Sequence, residues 1–158
     1  MQSTISLRPA NAKDCHMLWE WANSQMVRAS AFSTNAITLK DHTQWFEKKL
    51  RDPHCYIFVA ENEEGVPVGQ IRFDIESDGR AVIDLHLAPR QGGRGFGTML
   101  LQKGVERIFS NTQTTCVYSY VKVNNESSRK VFEKTGFESN GEKLVYGEKV
   151  YYFTLCRS

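Results

Sequence analysis

Ala88-Pro89-Arg90-Gln91-Gly92-Gly93-Arg94-Gly95-Phe96-Gly97-Thr98-Met99-Leu100-Leu101 is the stretch on which the fold of this chain turns. An alternating run from Ala81 to Leu87 precedes it and an apolar-periodic run follows, so it joins a strand to a helix. Four of the six residues from Gly92 to Gly97 are glycine. Glycine lets backbone amides approach an anion closely and adopts positive φ at little cost. The helix that follows adds unpaired N–H groups and the positive end of its dipole, so the turn suits a pyrophosphate. No Gly-Lys-Ser/Thr ends the loop, which excludes a Walker A sequence. It does not open the first strand of the chain, and no acidic residue ends the next strand, which counts against a dinucleotide fingerprint. A glycine-rich connector without a ligand is the alternative.

Working outward, Ile83, Leu85 and Leu87 share one face of the preceding strand, and Val82, Asp84 and His86 share the other. Upstream of it, the runs over 55–60 and 68–73 read as a hairpin, and Ser77-Asp78-Gly79 turns the second of them into the third, giving an antiparallel meander. Ile5 and Leu7 mark a short first strand ended by Arg8-Pro9. Asn11 reads as a helix cap, with Cys15, Leu18, Trp19 and Ala22 as the apolar stripe that follows. After an irregular polar stretch through Ser33-Thr34-Asn35, Thr38 and Asp41 begin a helix carrying Leu39, Trp45, Phe46 and Leu50, and Asp52-Pro53 ends it. Downstream lie a helix over 98–109, a strand over 116–121, a helix over 125–135 closed by Gly136, and a strand pair around Gly147. The expected architecture is α/β in one domain over 1–158, with a mixed central sheet, antiparallel meander then parallel crossover, and helices on both faces.

Composition narrows the function classes. The net charge of +2 and the lack of any long run of like charge give no footprint for nucleic acid. The N-terminus carries no leader-like pattern and no apolar segment is long enough for a bilayer span, which leads to the expectation of a cytoplasmic protein without a membrane partner. Cys15, Cys55, Cys116 and Cys156 form no Cys-x-x-Cys pair. They are expected to be reduced, mostly buried packing residues, and no metal is expected.

The segment from Leu85 to Leu101 resembles the acetyl-CoA loop of the GNAT N-acetyltransferases, written Gln/Arg-x-x-Gly-x-Gly/Ala, with Gly95 and Gly97 as its glycines. Gly92 then takes the Gln/Arg position, and the expected glutamine stands one place early, as Gln91. Asn125-x-x-Ser128-x-x-x-Phe132-x-x-x-Gly136-Phe137 is similar to the same family's Asn-x-x-Ala-x-x-x-Tyr-x-x-x-Gly-Phe. The resemblance implies acetyl-CoA as co-substrate. The main chain of Leu85, His86 and Leu87 would pair with its pantetheine arm. Gly93, Arg94, Gly95, Phe96, Gly97 and Thr98 would hold the pyrophosphate, Gly92 would also line the cofactor site, and Asn125 would touch the cofactor, or simply cap its helix.

In this family the amine attacks the thioester directly, so no cysteine nucleophile is expected. The tyrosine that usually protonates the leaving thiolate is replaced by Phe132, which has no proton to give. The catalytic candidates are Asp84, His86 and Tyr120. His86 titrates nearest neutrality, whereas an ordinary tyrosine at about 10 is a poor base at pH 7. The N-terminal third, with Trp19-Glu20-Trp21, Val27-Arg28, His42 and Trp45-Phe46, together with Gly69-Gln70-Ile71-Arg72-Phe73, resembles the sugar-nucleotide N-acetyltransferases of pseudaminic and related nonulosonic acid synthesis. That resemblance implies a UDP-linked amino-dideoxy sugar acetylated at its 4-amino group, with Arg28, Arg72 and His42 meeting the substrate. A protein N-terminus as acceptor and a non-catalytic acetyl-CoA sensor are the competing readings, and a homodimer is left open.

Overall fold

The computed structural model describes residues 4–158. Strand β1 (Ile5–Pro9) runs into a 3-10 turn at Ala12–Asp14, then helices α1 (Cys15–Ala22), α2 (Gln25–Ser30) and α3 (Leu39–Arg51). The meander β2 (Cys55–Asn62), β3 (Pro67–Ile75) and β4 (Arg80–Leu87) follows. Helix α4 (Phe96–Asn111), β5 (Cys116–Lys122), α5 (Glu126–Lys134), β6 (Glu138–Val145) and β7 (Glu148–Cys156) complete the chain. The seven strands lie in the order β1-β2-β3-β4-β5-β7-β6, and only the β4–β5 neighbours are parallel. This is the mixed sheet expected from the sequence.

Local chemistry sets the boundaries. Asn11 accepts from the Lys13 amide while Asp14 reaches back to the Asn11 N–H at 2.8 Å, a reciprocal cap. Thr38 caps α3 by accepting from the Asp41 amide, and Asn125 caps α5 by accepting from Ser128. Tyr146 and Gly147 both take positive φ in the two-residue turn from β6 to β7, as a primed hairpin turn requires. Helix α2 replaces the irregular stretch expected after Ala22. It has only six residues and none of them is buried, so no stripe announces it.

Two layers cover the sheet. On one face, Phe96, Leu100, Leu101 and Ile108 of α4 and Phe132 of α5 pack on Ile71, Phe73, Ile83, Val117 and Phe153. Each such apolar side chain removed from water contributes about 1.5–3 kcal/mol. A Cβ on Gly104 would lie 2.8 Å from Ile71 Cδ1, so this glycine sets how closely α4 approaches β3. On the other face, Leu18, Trp21 and Phe46 pack against Ile57 and Ala88. The buried tryptophan of α1 is Trp21 rather than the expected Trp19, whose indole N–H donates to Ile37 O at 2.7 Å. The cysteine expectation needs a correction. Cys116 and Cys156 face each other across β5 and β7 and form a disulfide, while Cys15 and Cys55 remain free. Among the described residues no helix is long and apolar enough to cross a membrane.

Candidate active site

The sheet forks between its two parallel strands. Ladder pairing joins β4 to β5 only at Arg80–Cys116, Ala81–Val117 and Val82–Tyr118. The Ser119 hydroxyl bridges one step further, donating to Ile83 O at 3.3 Å. From Asp84 to Leu87, β4 stays paired with β3 but has no ladder partner on its β5 side. Main-chain donors and acceptors in mid-sheet are therefore left for something else to satisfy. Leu85 and Leu87 turn their side chains toward the core, so it is their backbone that faces the fork.

The fork opens onto the glycine loop. Gly93 and Gly95 take φ of +78° and +79°, and Gly95 is the N-cap of α4 without any side-chain cap bond. A Cβ built on Gly92, Gly93 or Gly95 would meet no protein atom within 4 Å, so the space before the loop is open. With the first N–H groups of α4 behind it, this concavity can take an anion. Gly97 differs: its Cβ would press on Val131 Cγ2 at 3.2 Å, so this glycine serves the contact of α4 with α5. Phe96 is buried and leaves only its backbone to the loop, whereas Arg94 is exposed and Thr98 half-buried.

The face of the sheet opposite α4 carries the polar groups. Asp84 and His86 project there from β4, with Gln70 and Arg72 opposite them on β3 in the register Gln70–His86 and Arg72–Asp84. The Gln70 amide nitrogen lies 3.0 Å from Asp84 Oδ2 and 3.1 Å from His86 Nδ1. Arg72 binds Asp74 at 2.9 Å, approaches Asp84 Oδ2 at 3.6 Å, and stacks over Trp45 at 4.9 Å. Burial pushes the His86 pKa down against the opposing pull of the Asp84 charge, and the Arg72 and Arg28 charges add to the lowering, so His86 is neutral at pH 7. For Asp84 desolvation pushes upward, but it is outweighed, first by the Arg72 charge and also by the Gln70 N–H, and its carboxyl lies below the ordinary value. Tyr120 shares this face across the fork, its ring 5.3 Å from that of Tyr152.

Other expected contacts have structural partners. Arg28 donates to the carbonyls of Ala22, Ser33 and Asn35 at 2.7, 3.0 and 3.1 Å, closing the end of α1 and holding the loop after α2. His42 is buried against Phe46 with ring centroids 5.8 Å apart, and burial lowers its pKa. Asn125 combines its cap with a bond to the Ser30 hydroxyl at 3.2 Å. Phe132 lies in the core between Phe137 and Phe153, centroids 5.0 and 5.4 Å away. Burial, with Asp74, pushes the Cys55 thiol up to about 12, which fits a packing residue. Sequence reasoning missed Gln70 as the partner of Asp84 and His86, and it missed the burial of Lys122. Lys122 is buried and donates to Ala29 O at 3.1 Å, tying β5 to α2. The hairpin register, which sets Gln70 beside His86, was the available signal for the first, and nothing local marks the second.

Comparison with known proteins agrees with this geometry. Residues 4–138 match the acetyltransferase (GNAT) domain family. An aminoglycoside N(6')-acetyltransferase type 1 of Klebsiella pneumoniae is 27% identical over 169 aligned positions, covering 98% of this chain and 84% of the relative. A spermidine N(1)-acetyltransferase of Vibrio cholerae is 22% identical over 143, covering 89% and 83%. The structure of aminoglycoside acetyltransferase AAC(6')-Ib in complex with coenzyme A and kanamycin superimposes with a TM-score of 0.85 at 25% identity, covering 98% of this chain and 95% of that one. With that family matched over residues 4–138 and the forked sheet and glycine loop in place, the chain belongs to the GNAT acetyltransferases.

Proposed function

We propose that this chain carries the acetyl group of acetyl-CoA to a primary amine on a small cationic molecule bound at the β4–β5 fork. The observation that carries the reading is the unpaired edge of β4 from Asp84 to Leu87, running into a glycine loop with open space before it. The edge fits an extended chain of amides, as the pantetheine arm is, and the loop fits its pyrophosphate. Acetyl-CoA supplies the activated acetyl group. Asp84 would draw the substrate ammonium into the fork and pass its proton to water, and Tyr120 is the phenol able to donate toward the departing sulfur in place of Phe132.

A cationic acceptor follows from the charges. Arg28 already donates to three carbonyls, and Arg72 is paired with Asp74 and lies beside Asp84 and Trp45, so both guanidinium groups are engaged by the protein itself. A diphosphate would instead meet the Asp84 carboxylate, a like-charge contact that selects against it. The relatives cited above are named for aminoglycosides and spermidine. The test is thiol release from acetyl-CoA with kanamycin, spermidine, a UDP-linked 4-amino sugar and an N-terminal peptide as acceptors. Acetylation of kanamycin or spermidine is the expected result. Preference for the UDP-sugar would restore the nucleotide-sugar reading, preference for the peptide would favour protein acetylation, and binding of acetyl-CoA without any turnover would indicate a sensor.

A further inference from the structure

An aspartate beside a histidine usually makes the ring a base, because the carboxylate accepts a proton from Nδ1 and leaves a lone pair on Nε2. Here a glutamine stands between the two. Asp84 Oδ2 lies 3.9 Å from His86 Nδ1, while the amide nitrogen of Gln70 is at 3.0 and 3.1 Å from the two of them. The Asp84 carbonyl oxygen is also near that nitrogen, at 3.4 Å. A carboxylate and a carbonyl only accept, so the Gln70 atom facing them must be its NH2. The atom of His86 that faces the same NH2 must then be the unprotonated one, which puts the ring proton on Nε2. Gln70 is 3% exposed and cannot turn to water for other partners. His86 Nε2 is buried and has no partner among the described residues. A buried N–H without an acceptor costs about 1–3 kcal/mol, so its persistence calls for a reason.

We propose that Gln70 is a positioning residue that reverses the polarity of the Asp84–His86 pair, holding His86 as a neutral Nε2–H donor and leaving Asp84 as the proton acceptor of the pair. This rests on the acetyltransferase reading of the same fork. His86 then takes no proton from the amine, and its Nε2–H is a donor held ready for an acceptor oxygen that the ring meets when the fork is filled. The groups that face the ring agree with it. Asp84 on β4 would favour a charged imidazole, but Arg72 on β3 and Arg28 on α2 oppose it, and Trp21 of α1 closes one side with its ring 6.4 Å away and nearly perpendicular.

The tautomer is read directly by nitrogen-15 NMR of the histidine rings in the protein alone, with Gln70→Met and Gln70→Glu as variants. In the unmodified chain at neutral pH, His86 should show a pyridine-like Nδ1 and a pyrrole-like Nε2, and the ring should charge at a lower pH than an ordinary histidine. Gln70→Glu, which keeps the shape and places a carboxylate on Nδ1, should move the proton there and raise the pH at which the ring charges. Gln70→Met should lower kcat on the order of a hundredfold, with the acetyl-CoA KM unchanged, and bring a histidine-like inflection into the pH profile. A pyrrole-like Nδ1 in the unmodified chain, or an unchanged ring pattern in both variants, overturns the assignment. If Gln70→Met does not fold, the unmodified chain and Gln70→Glu decide it. Because the ring is read without either substrate, a protein with the stated tautomer that acetylates no amine refutes the functional reading and leaves the tautomer assignment standing.

Discussion

Replacing Gly95 by alanine separates backbone strain from ligand binding at one atom. The residue holds φ +79° at the start of α4, a conformation that costs a non-glycine residue about 1–2 kcal/mol. Its new Cβ would meet no protein atom within 4 Å, so strain is the whole of the expected stability effect. For a chain of this size that is a fall of roughly 2–4 °C in Tm for each kcal/mol. On the ligand side the methyl group enters the space that the loop leaves open. Losing one hydrogen bond to a charged phosphate oxygen is worth about 1.5–3 kcal/mol, a rise of roughly 10- to 150-fold in the acetyl-CoA KM at about 1.4 kcal/mol per decade. Gly79 gives the control. It also has positive φ, +85°, its Cβ would touch Thr115 only at an ordinary 3.6 Å, and it turns β3 into β4 at the end of the sheet away from the loop. Gly79→Ala should lose similar stability and keep its KM. The assay pairs thermal unfolding with initial rates at varied acetyl-CoA, and a Gly95→Ala enzyme whose KM moves no more than that of Gly79→Ala refutes the loop assignment.

Phe132→Tyr would add a hydroxyl to a ring that is buried and packed on Phe137 and Phe153, neither of which offers an acceptor, so we expect a loss of about 1–3 kcal/mol in chemical denaturation. Turnover should stay within a few-fold, and a large gain in kcat would show that a proton donor there is needed. Asp14 is held below the ordinary carboxylate range, first by the Arg8 guanidinium at 2.8 and 2.9 Å and, against desolvation, by the Asn11 amide. Its folded pKa is depressed, so its contribution is complete above the unfolded value near 4 and is lost as pH falls through the folded value. Asp14→Asn should therefore be less stable than the parent at neutral pH, with the gap closing in acid, and a gap that stays constant to low pH would contradict this. Gentle reduction should release two thiols beyond Cys15 and Cys55, and a native chain that titrates as four free thiols would exclude the Cys116–Cys156 bond.

Features decided within one turn of chain are legible in the residues themselves. Asn11, Thr38 and Asn125 cap where their spacing to Asp14, Asp41 and Ser128 implies, because a cap needs only its own next three residues. The strand order is legible as far as hairpins and one crossover determine it. What escapes depends on which strands become neighbours. Cys116 and Cys156 are 40 residues apart and meet only because β7 inserts between β5 and β6. Arg28 reads as free because its acceptors are backbone carbonyls, which every residue carries and no sequence pattern displays. Gln70 does not stand out as a chemical group because it reacts with nothing itself. Its importance lies in the ring it faces across the β3–β4 register.

The fork also changes where this protein opens. In an ordinary sheet the middle strand is the slowest to exchange its amide hydrogens with heavy water, since neighbours on both sides lock it. Here β4, fourth of seven strands, is locked on one side only beyond Ile83. Its fork-facing amides lie at the centre of the molecule and still have no bond to break before they exchange. The free protein therefore has a fast-exchanging seam inside a slow-exchanging core. A ligand that lies along the seam should slow it without slowing β1 or β6, so the exchange pattern alone can report occupancy for a compound whose chemistry is unknown.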